Sequence, residues 1–164
     1  MSTIVQYHRL RDFEVEDASA LALRVFDEFV ATQFSDEGQQ EFHRYASPSA
    51  IRERNRAGCL TFAAERDGRL IGMLHLRDGE HIAMLFVEGD SQRQGIGRSL
   101  IGAATEYVRS RQPPVRVQTV ASTPNAIEAY RKLGFVSVGG EQVLKGIRFV
   151  SMMREVEASR PPRP

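Results

Sequence analysis

The sequence predicts a mixed α/β domain in which helices cover a mostly antiparallel sheet. Three features carry that expectation: apolar stripes at helical spacing early in the chain, hairpin-forming Asp-Gly turns at Asp67-Gly68 and Asp78-Gly79, and an apolar strand running into a glycine loop and a further amphipathic helix. With 164 residues, 41% hydrophobic and 26% charged, one domain is expected, since domains average roughly 150 residues. It should occupy residues 1–155, leaving 156–164, with Arg160-Pro161-Pro162-Arg163-Pro164, as a flexible tail.

The elements follow in order. Residues 4–9 read as a short extended start. Asp17 can cap a helix in which Ala22, Val25, Phe26, Phe29, Val30 and Gln33 form one stripe. Ser35-Asp36-Glu37-Gly38 punctuates it, and residues 36–45 and 48–56 then read as two shorter polar helices anchored by Phe42, Tyr45 and Ile51. From Cys59 the period changes: residues 60–65 and 69–76 flank Asp67-Gly68, whose two residues accept the positive φ angles of a type I′ turn. Residues 81–87 form an almost wholly apolar strand expected to be buried on both faces.

Composition removes several function classes. Twenty-two basic and 21 acidic residues leave a net charge of +1, which gives no polyanion-binding surface, so nucleic acid is not an expected partner. The single cysteine, Cys59, excludes an intrachain disulfide and a multi-cysteine metal site, and no metal is expected. The first residues lack the apolar segment of a secretory signal, and the longest apolar run, 82–87, is far short of a membrane span. The cytoplasm is the simplest compartment, and no membrane partner is expected.

The most informative segment is Gln92-Arg93-Gln94-Gly95-Ile96-Gly97-Arg98-Ser99, set between the apolar strand and a helix in which Ile96, Leu100, Ala103, Ala104, Tyr107 and Val108 recur at helical spacing. Glycines at a helix entrance let backbone N–H groups approach an anion closely, and the positive end of the helix dipole adds attraction for phosphate. A P-loop is excluded, because its lysine is absent and the chain holds only Lys132 and Lys145. A dinucleotide fingerprint is disfavoured, because Leu100 stands where its third small residue belongs.

What remains is Gln/Arg-x-x-Gly-x-Gly/Ala after an apolar strand, and Gln92 to Gly97 match it at every specified position. With Ala126-Ile127-Glu128-Ala129-Tyr130-Arg131-Lys132-Leu133-Gly134-Phe135 following in order, the chain resembles the GNAT superfamily of acyl-CoA-dependent N-acetyltransferases over roughly residues 60–154. The resemblance implies a sheet of six to seven strands, splayed between the fourth and fifth, and an enzyme that moves acetyl from acetyl-CoA to a primary amine. It also implies the site. The pyrophosphate of acetyl-CoA would sit on the amides of Arg93, Gln94, Gly95, Ile96, Gly97 and Arg98, with Gln92 and Ser99 beside them. Main-chain groups of Leu85, Phe86 and Val87 would meet the pantetheine chain. Tyr130 matches the tyrosine that protonates the departing thiolate, chemistry suited to a phenol with pKa near 10.

Deprotonation of the amine needs a base or a water chain, and His81, six residues before Val87, matches the place where some relatives carry a catalytic glutamate. Glu80, His75 and Glu65 are alternatives. Many relatives carry asparagine at the position held here by Thr123, so Asn125, two residues on, is a displaced candidate for a cofactor contact. The acceptor stays open between a small amine, an amino acid, an antibiotic and a peptide N-terminus; Phe34, Asp36, Glu37, Phe42 and Tyr45 read either as its rim or as ordinary helix surface and core. A non-catalytic acetyl-CoA-binding regulator and a transferase of longer acyl groups are the competing readings. Pairing of residues 147–152 with a second copy is one route to a homodimer.

Overall fold

The computed structural model describes residues 3–111 and 115–156. Its sheet has seven strands in the order β1-β2-β3-β4-β5-β7-β6: β1 (Gln6–Arg9), β2 (Leu60–Arg66), β3 (Arg69–Arg77), β4 (His81–Val87), β5 (Val117–Ser122), β6 (Val136–Leu144) and β7 (Ile147–Glu155). Every neighbouring pair is antiparallel except β4 and β5. The hairpin turns are built alike: Asp67-Gly68, Asp78-Gly79 and Lys145-Gly146 all carry positive φ at both central positions, the conformation whose twist matches that of the strands it joins.

Helices α1 (Val15–Phe29), α2 (Asp36–Tyr45) and α3 (Pro48–Arg56) cover one face of the sheet, and α4 (Ile96–Arg109) and α5 (Ile127–Lys132) the other. Their starts are local in origin. Ser35 Oγ accepts from Gly38 N–H at 3.1 Å and Ser47 Oγ from Ala50 N–H at 3.4 Å, the N-cap arrangement that satisfies a first-turn amide. Two apolar clusters result. One joins α1, α2 and α3 to Met73, Met84 and Phe86; the other joins α4 and α5 to Leu74, Ile82, Leu85, Val87 and Val120.

Several sequence expectations shift in place. The first helix starts at Val15 without an Asp17 cap, and ends at Phe29, so Gln33 lies in a separate 3-10 turn, Ala31–Gln33. The strand expected at 115–120 is β5, two residues later, and Thr123 precedes a 3-10 turn, Pro124–Ala126, without capping it through its side chain. Val156 packs with 8% exposure and donates its N–H to Arg116 O at 2.8 Å, so it belongs with the domain; residues 157–164 of the expected tail lie outside the described residues. β7 cannot offer the expected edge to a second copy, because β5 and β6 flank it on both sides and take its main-chain groups. The edge strands are β1 and β6, and β6 is exposed along its length.

Candidate active site

The site forms where the sheet opens. β4 pairs with β5 only at His81↔Thr119 and Ile82↔Val120, and beyond those pairs the two strands separate. A bulge prepares the opening: Ile82 lies opposite Leu76 and Met84 opposite His75, leaving Ala83 as an extra residue. The bulge inverts side-chain alternation, so that Ile82, Leu85 and Val87 all join the cluster on the α4 face while Met84 and Phe86 join the other.

Ladder alternation then decides which main-chain groups are free. Glu88 N–H donates to Ile71 O at 2.9 Å, which makes Phe86↔Met73 and Met84↔His75 the hydrogen-bonded pairs of the same ladder. Leu85 and Val87 therefore turn their main-chain groups away from β3, toward the side that β5 has vacated. Phe86 does not share this property; its N–H and C=O are committed to Met73. The Val87 carbonyl accepts from Gln92 Nε2 at 3.0 Å, which leaves the N–H groups of Leu85 and Val87 and the carbonyl of Leu85 directed into the cleft. The strand expected to be buried on both faces is accordingly only half buried beyond Met84.

At the open end of the cleft lies the glycine loop. Gly95 caps α4 in the left-handed region (φ 79°), and Arg93 before it also has positive φ, 62°. Among the described residues the amides from Arg93 to Arg98 donate no hydrogen bond within the chain; the first intrahelical bond runs from Ser99 N–H to Gly95 O at 3.0 Å. These N–H groups and the helix dipole could hold an anion. A Cβ on Gly97 would meet only Leu85 Cδ2, at 3.9 Å, so the space above this residue is open and adjoins the free main chain of β4. The loop is held from outside: Arg66 donates to Gln94 Oε1 at 2.8 Å and Gln94 Nε2 to Asp90 O at 3.3 Å. Arg98 reaches Lys132 O at 3.5 Å, which fixes the end of α5 beside the start of α4. The side chains of Arg93 and Ser99 are exposed.

Tyr130 and His81 lie on opposite faces of the sheet. Tyr130 sits in the α4-side cluster, edge-on to Phe135 at 5.5 Å between ring centroids. Its phenol has no hydrogen-bond partner among the described residues, and burial pushes its pKa above the ordinary tyrosine value. His81 stands at the closed end of the cleft, its Nδ1 2.8 Å from Thr119 Oγ1. Gln118 and Val120, on either side of Thr119, point to the α4 face, so Thr119 and His81 share the other one. Burial lowers the His81 pKa, Arg77 lowers it further, and Asp78 opposes them; the imidazole is neutral at physiological pH.

The other candidate bases are placed elsewhere. His75 is fully buried beneath α3, and Glu65 is ion-paired with Arg11 at 3.1 Å near the β1 edge. Glu80 is exposed, and its carbonyl accepts from Thr119 N–H. Asn125 is exposed, and both ends of its side chain bond to the chain itself, accepting from Thr123 Oγ1 at 2.7 Å and donating to Phe29 O at 3.4 Å. Of the expected acceptor rim, Phe42 is a core residue, stacked on Phe26 at 4.0 Å and edge-on to Phe86 at 5.6 Å. Phe34 packs on Phe26 and bridges to Ile147, Tyr45 lies under the Arg54 guanidinium, and Asp36 and Glu37 remain on the surface. Sequence reasoning missed Thr119. A polar residue at an alternating strand position carries no signal until its cross-strand partner is known.

The model of the acetyltransferase (GNAT) domain family matches residues 30–156. The chain belongs to this GNAT family. The E. coli peptidyl-lysine N-acetyltransferase YiaC is 29% identical to this GNAT domain over 85 residues, 52% of the chain and 56% of the relative; the chain thus spans little more than half of that curated relative. Among solved structures, a GCN5-related N-acetyltransferase from Rhodopseudomonas palustris superposes with a TM-score of 0.78 at 21% identity, covering 94% of this chain and 98% of the other. The PaiA N-acetyltransferase of Thermoplasma acidophilum, solved with coenzyme A, gives 0.76 at 16% identity, covering 93% and 99%. Both likenesses are to the fold.

Proposed function

We propose that this chain transfers the acetyl group of acetyl-CoA to a primary amine, by direct attack with both substrates held in the β4–β5 cleft and the cytoplasm as the expected compartment. The observation that carries this reading is the alignment of the free main chain of Leu85 and Val87 with the unpaired amides from Arg93 to Arg98. Together they fit a ligand with a strand-like amide arm at one end and a pyrophosphate at the other. The bound substrate supplies an activated thioester; the residues supply the rest.

Positioning and electrostatics are the main contributions in such a reaction. The Leu85 N–H is directed to where the thioester oxygen gains charge. His81, neutral and on the face opposite α4, removes the proton of the attacking amine. Tyr130, protonated and on the α4 face, donates to the departing sulfur. Proton removal and proton delivery are thereby assigned to opposite sides of one opening in the sheet, which matches attack from one side and departure from the other. Asp36 and Glu37, exposed on the first turn of α2 and without an ion-pair partner among the described residues, favour a cationic acceptor, with the lysine side chain of a peptide a leading class.

The test is an acetylation screen: purified protein, acetyl-CoA and a panel of amines including lysine peptides, read by thiol release and by the mass of the acceptor. Multiple turnovers with an acetylated product support the reading. Coenzyme A binding without turnover on any amine would favour the regulatory alternative, and preference for butyryl-CoA the longer-acyl one.

A further inference from the structure

We propose that Thr119 is the positioning residue of His81, its hydroxyl oxygen accepting the Nδ1 proton and so leaving Nε2 as the bare nitrogen that receives a proton from the acceptor amine. The inference rests on the reading of His81 as the base and adds a second residue to it.

Thr119 is itself rigidly placed. Its N–H donates to Glu80 O at 2.9 Å, its hydroxyl lies 2.8 Å from His81 Nδ1, and it forms one of the two residue pairs that join β4 to β5 at all. Its branched Cβ restricts χ1, so the hydroxyl holds its direction. A neutral imidazole carries its proton on one nitrogen, and the partner of the other nitrogen selects which. With Thr119 Oγ1 as acceptor, the Nδ1–H bond persists when Nε2 takes up a proton, because both nitrogens are then donors. With the hydroxyl as donor, that bond would break at the moment of proton uptake. The first arrangement alone suits a base.

Among the described residues, two charged groups bear on the imidazole. Arg77 lies opposite His81 on β3 and resists its protonation, and Asp78 in the adjoining turn favours it. From β5 the neighbour on this face is the uncharged Thr119, and on β7 Met153 lies across from it.

The tautomer can be read directly by long-range 1H–15N correlation on histidine-labelled protein near pH 7.5, without substrate, with the His81 signal assigned by its loss in His81→Gln. The expected wild-type signal is a protonated Nδ1 and a bare Nε2, retained in Thr119→Ser and lost in Thr119→Val. In steady-state kinetics Thr119→Val should lower kcat about tenfold, a part of the roughly 10²–10⁴-fold that a positioned base supplies, leave KM for acetyl-CoA unchanged, and move the ascending limb of the pH profile to lower pH, because the imidazolium loses an acceptor. Thr119→Ser should restore both. A wild-type signal with Nε2 protonated, or a Thr119→Val protein with the wild-type tautomer, overturns the proposal. An ascending limb that survives in His81→Gln overturns the assignment of His81 instead.

Discussion

Arg54, half-buried on α3, donates its Nε–H to Nε2 of the fully buried His75 at 3.1 Å. The bond fixes the proton order around it: His75 Nδ1–H faces Thr61 Oγ1 at 2.8 Å, and the Thr61 hydroxyl donates to Asn55 Oδ1 at 2.9 Å. The ring can join this chain only as a neutral acceptor at Nε2. Burial, with Arg54 and Arg77, lowers its pKa to about 4.

Acid stability follows from that value. The folded pKa lies below the ordinary value of about 6.5, so the stability it contributes is complete above pH 6.5 and declines as pH falls toward 4. Between pH 7.5 and 5 the protein should lose about 2 kcal/mol by this route, read as a fall in the urea midpoint. His75→Gln should be less stable at pH 7.5 and lose less on acidification. An unchanged pH slope in that variant would contradict the arrangement.

Asn125 connects the turn after β5 to the end of α1 through Phe29 O, and its N–H also faces Gln33 Oε1 at 3.3 Å. Phe29 in turn packs against Gly89, just beyond β4, where an added Cβ would lie 3.0 Å from its ring. The segment thus spans both arms of the cleft. Asn125→Ala is expected to cost about 1 kcal/mol of stability, the size of an ordinary hydrogen bond, with coenzyme A affinity nearly unchanged. A large loss of affinity with unchanged stability would restore Asn125 as a ligand contact.

Much of this was legible in the sequence. Residues 36–45 and 48–56 are helices with the expected bounds because Ser35 and Ser47 cap them locally, and the Asp67-Gly68 turn fixes its hairpin by itself. β6 was not legible: Val136, Val138, Val143 and Leu144 are 50% exposed or more, and Gly139 and Gly140 interrupt the strand at a bulge, so neither alternation nor burial marks it. The entrance to α4 was legible because Gly95 and Gly97 stand between the apolar strand and the helical stripe, and Gly95 is the N-cap of that helix. The division of labour among Leu85, Phe86 and Val87 depends on the Ala83 bulge, which a pairing register defines and a single strand's sequence does not. Phe42 and Tyr45 read first as core anchors, with a rim as the alternative, and their packing against the α1-side cluster bears out the anchors.

Tyr130→Phe removes only the hydroxyl and leaves the ring on Phe135. It should lower kcat by about a hundredfold or more, as loss of a general acid does, with acetyl-CoA affinity unchanged by calorimetry. Because burial raises the phenol's pKa, Tyr130 stays protonated to beyond pH 10, so the wild-type rate should show no descending limb from this group below that pH. A descending limb near pH 8 that disappears in Tyr130→Phe would contradict this assignment.

The central claim is that the loop from Arg93 to Arg98 and the free edge of β4 form one site for coenzyme A, and Gly97→Leu tests it most directly. The glycine has ordinary φ and open space above it, so a larger side chain leaves the fold intact while filling the cleft beside Leu85. Calorimetric titration with acetyl-CoA should give a dissociation constant on the order of micromolar for wild type, and at least a hundredfold weaker binding for the variant with an unchanged circular dichroism spectrum. Equal affinity in the two proteins, or no binding by wild type, would contradict the account.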